Sequence, residues 1–431
     1  MRRGPLLAVA CLLAVSAPAK TLIDINAPSV RKLALAVPVL RRGPDEVGST
    51  HVLIAEILRH DLGTAGLFEV LDPKGYLEDP QRAPAPPDGA SYDGWRTVGA
   101  ELLVRGQVER EGGGIAVELR AYDVFRRTQI FGRRYTAAAS EGRQIAHLFA
   151  NALLEEFTGS AGPYGTRIAY VAQQGKGKEL ALVDMDGANP RRVTKSGSLS
   201  LNPAWSRNGR YLYYTSYLMS TPDLYLLDLT TWKTWIVSRT PGINLSGRDS
   251  PDGKELLVTL SKDGNPEIYR MDKSTRALER LTDNRAIDVA PCWSPEGRRI
   301  VFVSDRAGNP HLFVMNRDGS GVRRVTHSGS HNGDPDWSPK GDLIAFTGKD
   351  ERGVFQVYVV DPEGRDVRQL TFGSRDTLDP SWSPDGRFLA VSSTREGKSG
   401  IYVFRLGSQE FRRVSPAGEE AVQPAWSPRA P

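Results

Sequence analysis

Residues Asp379–Val391 read DPSWSPDGRFLAV. Variants of this stretch begin at Asn202 (NPAWSRNGR), Ala290 (APCWSPEGR), Asp334 (DPDWSPKGD) and Gln423 (QPAWSPRAP). The position that is usually Trp falls at Trp205, Asp249, Trp293, Trp337, Trp382 and Trp426, with steps of 44, 44, 44, 45 and 44 residues. A period in the forties with one Trp and one turn per unit is the mark of stacked β-blades.

Each unit repeats one order. From Val289 the chain runs VAPCW, the turn SPEG, RRIVFVS, a break at DRAGNP, HLFVMN, a second break at RDGSG, and VRRVT. Apolar and polar residues alternate on period two, and the gaps hold Asp, Gly and Asn, which predicts four short antiparallel strands joined by hairpins. In S-P-D-G, Pro sets φ for the bend, Asp bonds nearby backbone N–H groups and Gly takes the positive φ that releases the next strand. The Trp side chains are expected to fill the wedges between neighbouring sheets, a structural task.

Counting the strands gives the closure. Triplets of second, third and fourth strands begin near Arg167, Tyr211, Glu255, Arg299, Leu343 and Phe388, but the first has no Trp motif before it and the last motif has no triplet after it. Six triplets and six inner strands balance if Ala421–Ser427 supplies the inner strand of the first blade, which leaves no open array edge. The predicted fold is an N-terminal α/β domain plus an all-β C-terminal six-bladed β-propeller, closed by the C-terminal strand pairing into the first blade.

Ahead of Gly165 the pattern changes. STHVLIAEILRHDL carries a helical apolar stripe with Ser49 as N-cap, strand-like runs follow from Glu101, and a second helix runs from a Ser140 cap to about Thr158. DPQRAPAPPDGA, from Asp79, is Pro-rich and is expected to be an extended loop. The expected layout is a signal peptide over 1–19, a flexible mature N-terminus over 20–30, an α/β domain over 31–160 and the propeller over 165–431, with SAGPYG as the linker. Arg2 and Arg3, the apolar run Leu6–Val15 and Ala17 and Ala19 at A-x-A spacing point to export with cleavage between Ala19 and Lys20. Cys11 does not sit in a lipoprotein context, because Ala8 stands where a Leu-type residue belongs.

Composition bounds the rest. The chain has 431 residues, 39% hydrophobic, enough for two cores, and 43 Gly with 29 Pro favour many turns. A mature chain would keep one cysteine, Cys292, so no internal disulfide can form, and losing Arg2 and Arg3 lowers the formal charge of +5 by two, to +3. Basic residues are scattered rather than clustered with aromatics, which argues against nucleic acid, and no further segment is long and apolar enough for membrane insertion.

Catalytic motifs are missing. No G-x-S-x-G elbow occurs. TREGKSG at Thr394 lacks the first Gly of a phosphate loop, having Ser392 there, and aligns with the hairpin tip at Gly308. DMDGAN at Asp184 lacks the closing Glu of a calcium loop and matches turns elsewhere in the repeat. Of His51, His60, His147, His311, His327 and His331, only the last two approach ligand spacing, with no third ligand nearby. The reading is therefore of no enzyme, no cofactor and no metal.

What remains is a surface. Polar residues recur on alternate positions ahead of the motif: Ser200 and Asn202, Asn244 and Ser246, Asp288, Asn332 and Asp334, Thr377 and Asp379. As inner strands converge on the axis, these would ring the channel mouth, either to bind a partner or to satisfy backbone groups where strands begin.

A signal peptide, a small α/β domain and six P-x-W-S-P-D-G-type repeats ending in PAWSP resemble the TolB family of periplasmic Tol-Pal components, over nearly the whole mature chain. The resemblance implies a monomeric adaptor supporting outer-membrane integrity and cell division. The propeller's channel end would bind the peptidoglycan-associated lipoprotein Pal. Thr21, Leu22, Ile23, Asp24, Ile25 and Asn26 would form the N-terminus that contacts a TolA-like inner-membrane protein, by strand addition or by folding back. Two departures stand out: Asp249 replaces Trp and Gly247 replaces Pro in the second motif. The alternative is a secreted propeller enzyme or a glycan- or small-ligand-binding protein that uses the channel as its pocket.

Overall fold

The computed structural model describes residues 31–44, 48–79, 82 and 92–429. The expected cleavage site and the segment Thr21–Asn26 lie outside the described residues.

The N-terminal domain is a sheet backed by helices. Its elements are β1 (Leu33–Ala36), β2 (Arg41–Arg42), α1 (Thr50–Thr64), β3 (Phe68–Val70), α2 (Tyr92–Thr97), β4 (Leu102–Glu111), β5 (Gly114–Asp123), β6 (Thr128–Ala137) and α3 (Gly142–Thr158). Strand order is β3-β1-β4-β5-β6, with β1 parallel to both neighbours and β4-β5-β6 an antiparallel meander, while β2 pairs with β4. The apolar stripes of α1 (Ile54, Leu58, Leu62) and α3 (Ile145, Phe149, Leu153) pack together on one face of the sheet. On the other face Trp95 of α2 packs with Ala36, Leu103 and Tyr122.

Two expected caps differ. Ser49 precedes α1, but its side chain makes no capping bond; its carbonyl accepts from Val52 and Leu53 instead. Ser140 lies inside a short 3₁₀ turn, Ala139–Glu141, and α3 starts at Gly142; Glu141 reaches back to the Ala138 N–H at 2.8 Å. The helix thus begins two residues after the expected cap, because a Glu three residues past Ala138 serves the free amide.

Six four-stranded sheets follow. Their inner strands are Ala421–Trp426, Ser200–Trp205, Asn244–Asp249, Asp288–Trp293, Asn332–Trp337 and Thr377–Trp382, for blades 1 to 6. In blade 1, Ala421–Trp426 pairs antiparallel with Arg167–Gln174, which continues to Gly177–Asp184 and Arg191–Arg192. The motif Ser explains part of this geometry. Its hydroxyl accepts the amide that opens the second strand: Tyr211 on Ser206 at 2.9 Å, Arg299 on Ser294 at 3.0 Å, Phe388 on Ser383 at 2.9 Å. In blade 1 the same contact spans the chain, Arg167 N–H to Ser427 Oγ at 3.0 Å.

The linker is buried packing. The Tyr164 hydroxyl donates to the Asp61 carbonyl of α1, and Asn151 of α3 brackets the Tyr164 backbone with bonds of 2.9 and 3.1 Å. One apolar core runs from α1 and α3 through Tyr164 into Ile168 and Tyr170 of blade 1 and Phe388 and Val403 of blade 6. Around it, Arg387 donates to Thr158 Oγ1 and Ser160 Oγ, both at 2.7 Å, and Arg412 contacts His60 and the Met185 carbonyl. Burial and the neighbouring guanidinium hold His60 near 4, so its ring is neutral and accepts from Arg412.

Candidate functional site

The axis of the propeller is lined by the third residue of each inner strand: Asn202, Ser246, Ala290, Asp334, Asp379 and Gln423. All six have φ between 49° and 58°, the left-handed region. Asn and Asp tolerate it, but Ala290 and Gln423 do not ordinarily adopt it, so the ring is held there by its surroundings. The strand register shifts just past this residue in every blade, as between Leu201 and Ala204.

That bulge corrects the expected channel set. In a regular strand residues two apart share a face, and Ser200 would sit beside Asn202. The bulge turns the first residue into its own blade. Ser200, Asn244, Asp288, Asn332 and Thr377 are all buried and do not line the channel. Their side chains serve local loops: Asn244 Oδ1 accepts from Ser238 at 2.7 Å and Thr240 at 2.9 Å, Asp288 pairs with Arg306 at 2.7 Å, and Asn332 bonds the Ser328 carbonyl at 2.9 Å. Asn202, Ser246, Asp334 and Asp379 do face the axis. Ala290 and Gln423 complete the ring; Ala290 has no polar side chain and Gln423 lies in the last motif, which no triplet follows, and only their place in the 44-residue period marks them.

Ring members hand hydrogen bonds to the next blade. Gln423 Oε1 accepts from Asn202 N–H at 2.9 Å, Asp379 Oδ2 from Gln423 N–H at 3.2 Å, and Thr347 Oγ1 from Asp379 N–H at 3.0 Å. The enclosed space is small, about 110 Å³. Burial, then the neighbouring Asp334 carboxylate, push Asp379 up to about 6, and the enclosing wall likewise raises Asp334.

At the end where inner strands finish, a wider cup of about 460 Å³ is lined by Trp205, Trp293, Trp337, Trp382 and Trp426 with Asp249 in the sixth place. Three indoles tie adjacent blades: Trp205 donates to the Ala425 carbonyl at 2.9 Å, Trp293 to Arg248 at 3.2 Å and Trp382 to Asp336 at 3.0 Å. Asp249 keeps such a tie by other means, accepting from Arg207 N–H at 3.0 Å, from Tyr213 hydroxyl at 2.9 Å and from Lys273 at 2.8 Å. The two departures belong together. Tyr213 fills the missing wedge, and a Cβ on residue 247 would meet its ring at 2.8 Å, so the residue before Arg248 has to be Gly.

The two ends of the channel are not alike. Arg387, which donates to Thr158 and Ser160, and Arg412, which contacts His60, tie the N-terminal domain to the Trp end. The opposite end carries exposed apolar residues: Leu218 and Met219 on a hairpin tip, Ile287 and Phe372 on loops leading into inner strands. Among the described residues no group of three or more His, Cys, Asp or Glu is placed to hold a metal ion, and no helix is long and apolar enough to cross a membrane.

Comparison with known proteins decides the family. Residues 21–130 match the family model of the TolB amino-terminal domain, and residues 154–377 and 349–431 match that of the TolB beta propeller domain. The chain belongs to the TolB family. It is 40% identical over 206 residues to a Tol-Pal system protein TolB of Syntrophotalea carbinolica, covering 48% of this chain and 47% of that one. It is 35% identical over 210 residues to that of Desulfosudis oleivorans, covering 48% of each. These alignments span about half the length of the curated relatives. The crystal structure of TolB from Acinetobacter baumannii superposes with a TM-score of 0.81 at 28% identity, over 93% of this chain and 97% of that one. The TolB match thus takes in both domains.

Proposed function

We propose that this TolB-family chain is a non-enzymatic periplasmic adaptor whose open channel end docks the lipoprotein Pal. The observation that supports this is the asymmetry of the propeller. The Trp end carries the contacts to the N-terminal domain, whereas the other end presents Leu218, Met219, Ile287 and Phe372 around a mouth holding Asp334 and Asp379. Exposed apolar residues rimmed by polar groups suit a protein partner. Residues Thr21–Asn26 would engage a TolA-like inner-membrane protein, and binding at either site would alter the other by the same factor. Through these contacts the protein would support outer-membrane integrity and cell division.

The test is titration calorimetry with the soluble domain of Pal. Phe372→Ala and Met219→Glu are expected to weaken binding at least tenfold, and Arg387→Ala, at the other end, to leave it within twofold. Absence of binding, or loss of affinity only with changes at the Trp end, sinks the assignment. Deleting residues 20–30 is expected to abolish capture of the TolA-like protein while Pal is still bound.

A further inference from the structure

The outer strands of the blades differ in one place. Five of them are two or three residues long and each carries arginine: Arg191–Arg192, Leu278–Arg280, Arg323–Arg324, Val367–Gln369 (Arg368) and Phe411–Arg413. Charge and brevity of this kind keep an edge strand from pairing with other chains. Blade 2 ends instead in Thr234–Ser238, TWIVS, five residues long and uncharged. Its sheet continues on one side only, in the order Ser200–Trp205, Tyr211–Ser216, Asp223–Asp228, Thr234–Ser238.

This edge is apolar and exposed. Trp232, Trp235 and Ile236 are 47%, 45% and 40% exposed, within an unbroken exposed run from Thr231 to Ile236. The Lys233 carbonyl accepts from Asp228 N–H at 2.9 Å, and Trp235 pairs with Leu226 two residues on. By the alternation of antiparallel ladders, the backbone groups of Thr234 and Ile236 point away from the sheet. Cations frame the strand. Arg191 stacks on Trp232 at 5.1 Å, Lys233 sits between the two Trp residues, and Arg276 of blade 3 donates to the Val237 carbonyl at 3.4 Å. All three side chains belong to exposed residues, and none forms an ion pair with a carboxylate among the described residues.

From this we infer that the outer edge of blade 2 binds an extended acidic segment of a partner protein as a fifth strand. The backbone edge supplies main-chain hydrogen bonds, Ile236 on one face of the sheet and Trp235 on the other, with Trp232 at the strand's start, take apolar side-chain atoms, and Arg191, Lys233 and Arg276 select acidic groups. A second copy of the chain is disfavoured, since it would bring the same three cations against themselves. The surface is separate from the channel mouth, and Asp334→Asn is expected to leave it unchanged.

The probe is a labelled, terminally blocked peptide, Glu-Ile-Glu-Val-Glu-Ile-Glu, followed by fluorescence anisotropy with the full chain at low salt. Saturable binding is expected, weakened at least tenfold by Lys233→Glu and by Trp235→Ala, and lost when alternate peptide amides are N-methylated. Lys233 is exposed, so its reversal keeps the fold, which an unchanged Tm verifies. No saturable binding, or equal binding of the N-methylated peptide, overturns the inference. So does a dimer that Trp235→Ala dissolves without any peptide binding.

Discussion

Position 249 shows how a repeat absorbs a lost residue. Trp supplies both volume and an indole donor at five of the six motif sites; at the sixth, Tyr213 gives the volume and Asp249 the tie, which works only with Gly at 247. Gly247→Ala is expected to destabilise the protein by about 1–3 kcal/mol through overpacking, less in a Tyr213→Ala background, as measured by urea denaturation. Asp379 carries a second consequence. Its carboxyl is raised to about 6, so the folded state holds more protons than the unfolded chain between roughly pH 4 and 6. That contribution is complete below the unfolded value and is lost as pH rises through 6. Asp379→Asn is therefore expected to flatten the pH dependence in this window and to raise stability at pH 7 by up to about 2 kcal/mol, discounted for channel water.

At the scale of the strand, Ala421–Trp426 does for blade 1 what the other inner strands do for theirs. Trp426 donates to Thr166 Oγ1 at 2.8 Å, its backbone N–H bonds Ser381 Oγ at 3.0 Å, and Ser427 receives Arg167 N–H. Removing residues 421–431 takes away all of these and bares the edge at Arg167–Gln174. The truncated chain is expected to lose its cooperative melt and to aggregate, as thermal circular dichroism and light scattering would show. Trp426→Ala alone is expected to cost about 3–5 kcal/mol. A truncated chain that melts like the full one would contradict this account of the strand.

For the whole molecule, the continuous core from α1 and α3 into blades 1 and 6 argues for joint unfolding of the two domains. Calorimetry of the full chain is expected to show one transition. Arg387 is buried at the junction and serves Thr158, Ser160 and Asp385, so Arg387→Ala leaves several polar groups without a partner. It is expected to cost about 3 kcal/mol and to split the transition into two. An unchanged single transition would mean that apolar packing alone joins the domains.

The six-fold architecture was legible in the sequence because its causes are local and repeated. Ser in every motif turn, with Pro and Gly in most, sets the backbone within a few residues, and period-two alternation marks the strands. The same counting placed Ala421–Ser427 beside the first triplet. Ser49 does precede α1, though without a side-chain cap bond, whereas α3 starts two residues after Ser140, since which group caps a helix depends on a side chain choosing between nearby amides. The channel set was half legible: period pointed to the right strands, but a bulge decides that Asn202 faces the axis while Ser200 is buried. Tyr213 taking over a wedge from residue 249, Tyr164 filling the linker, and the bare apolar edge of blade 2 all follow from packing between strands and blades distant in the chain. Contacts of that range have no local signature, so tertiary structure alone settled them.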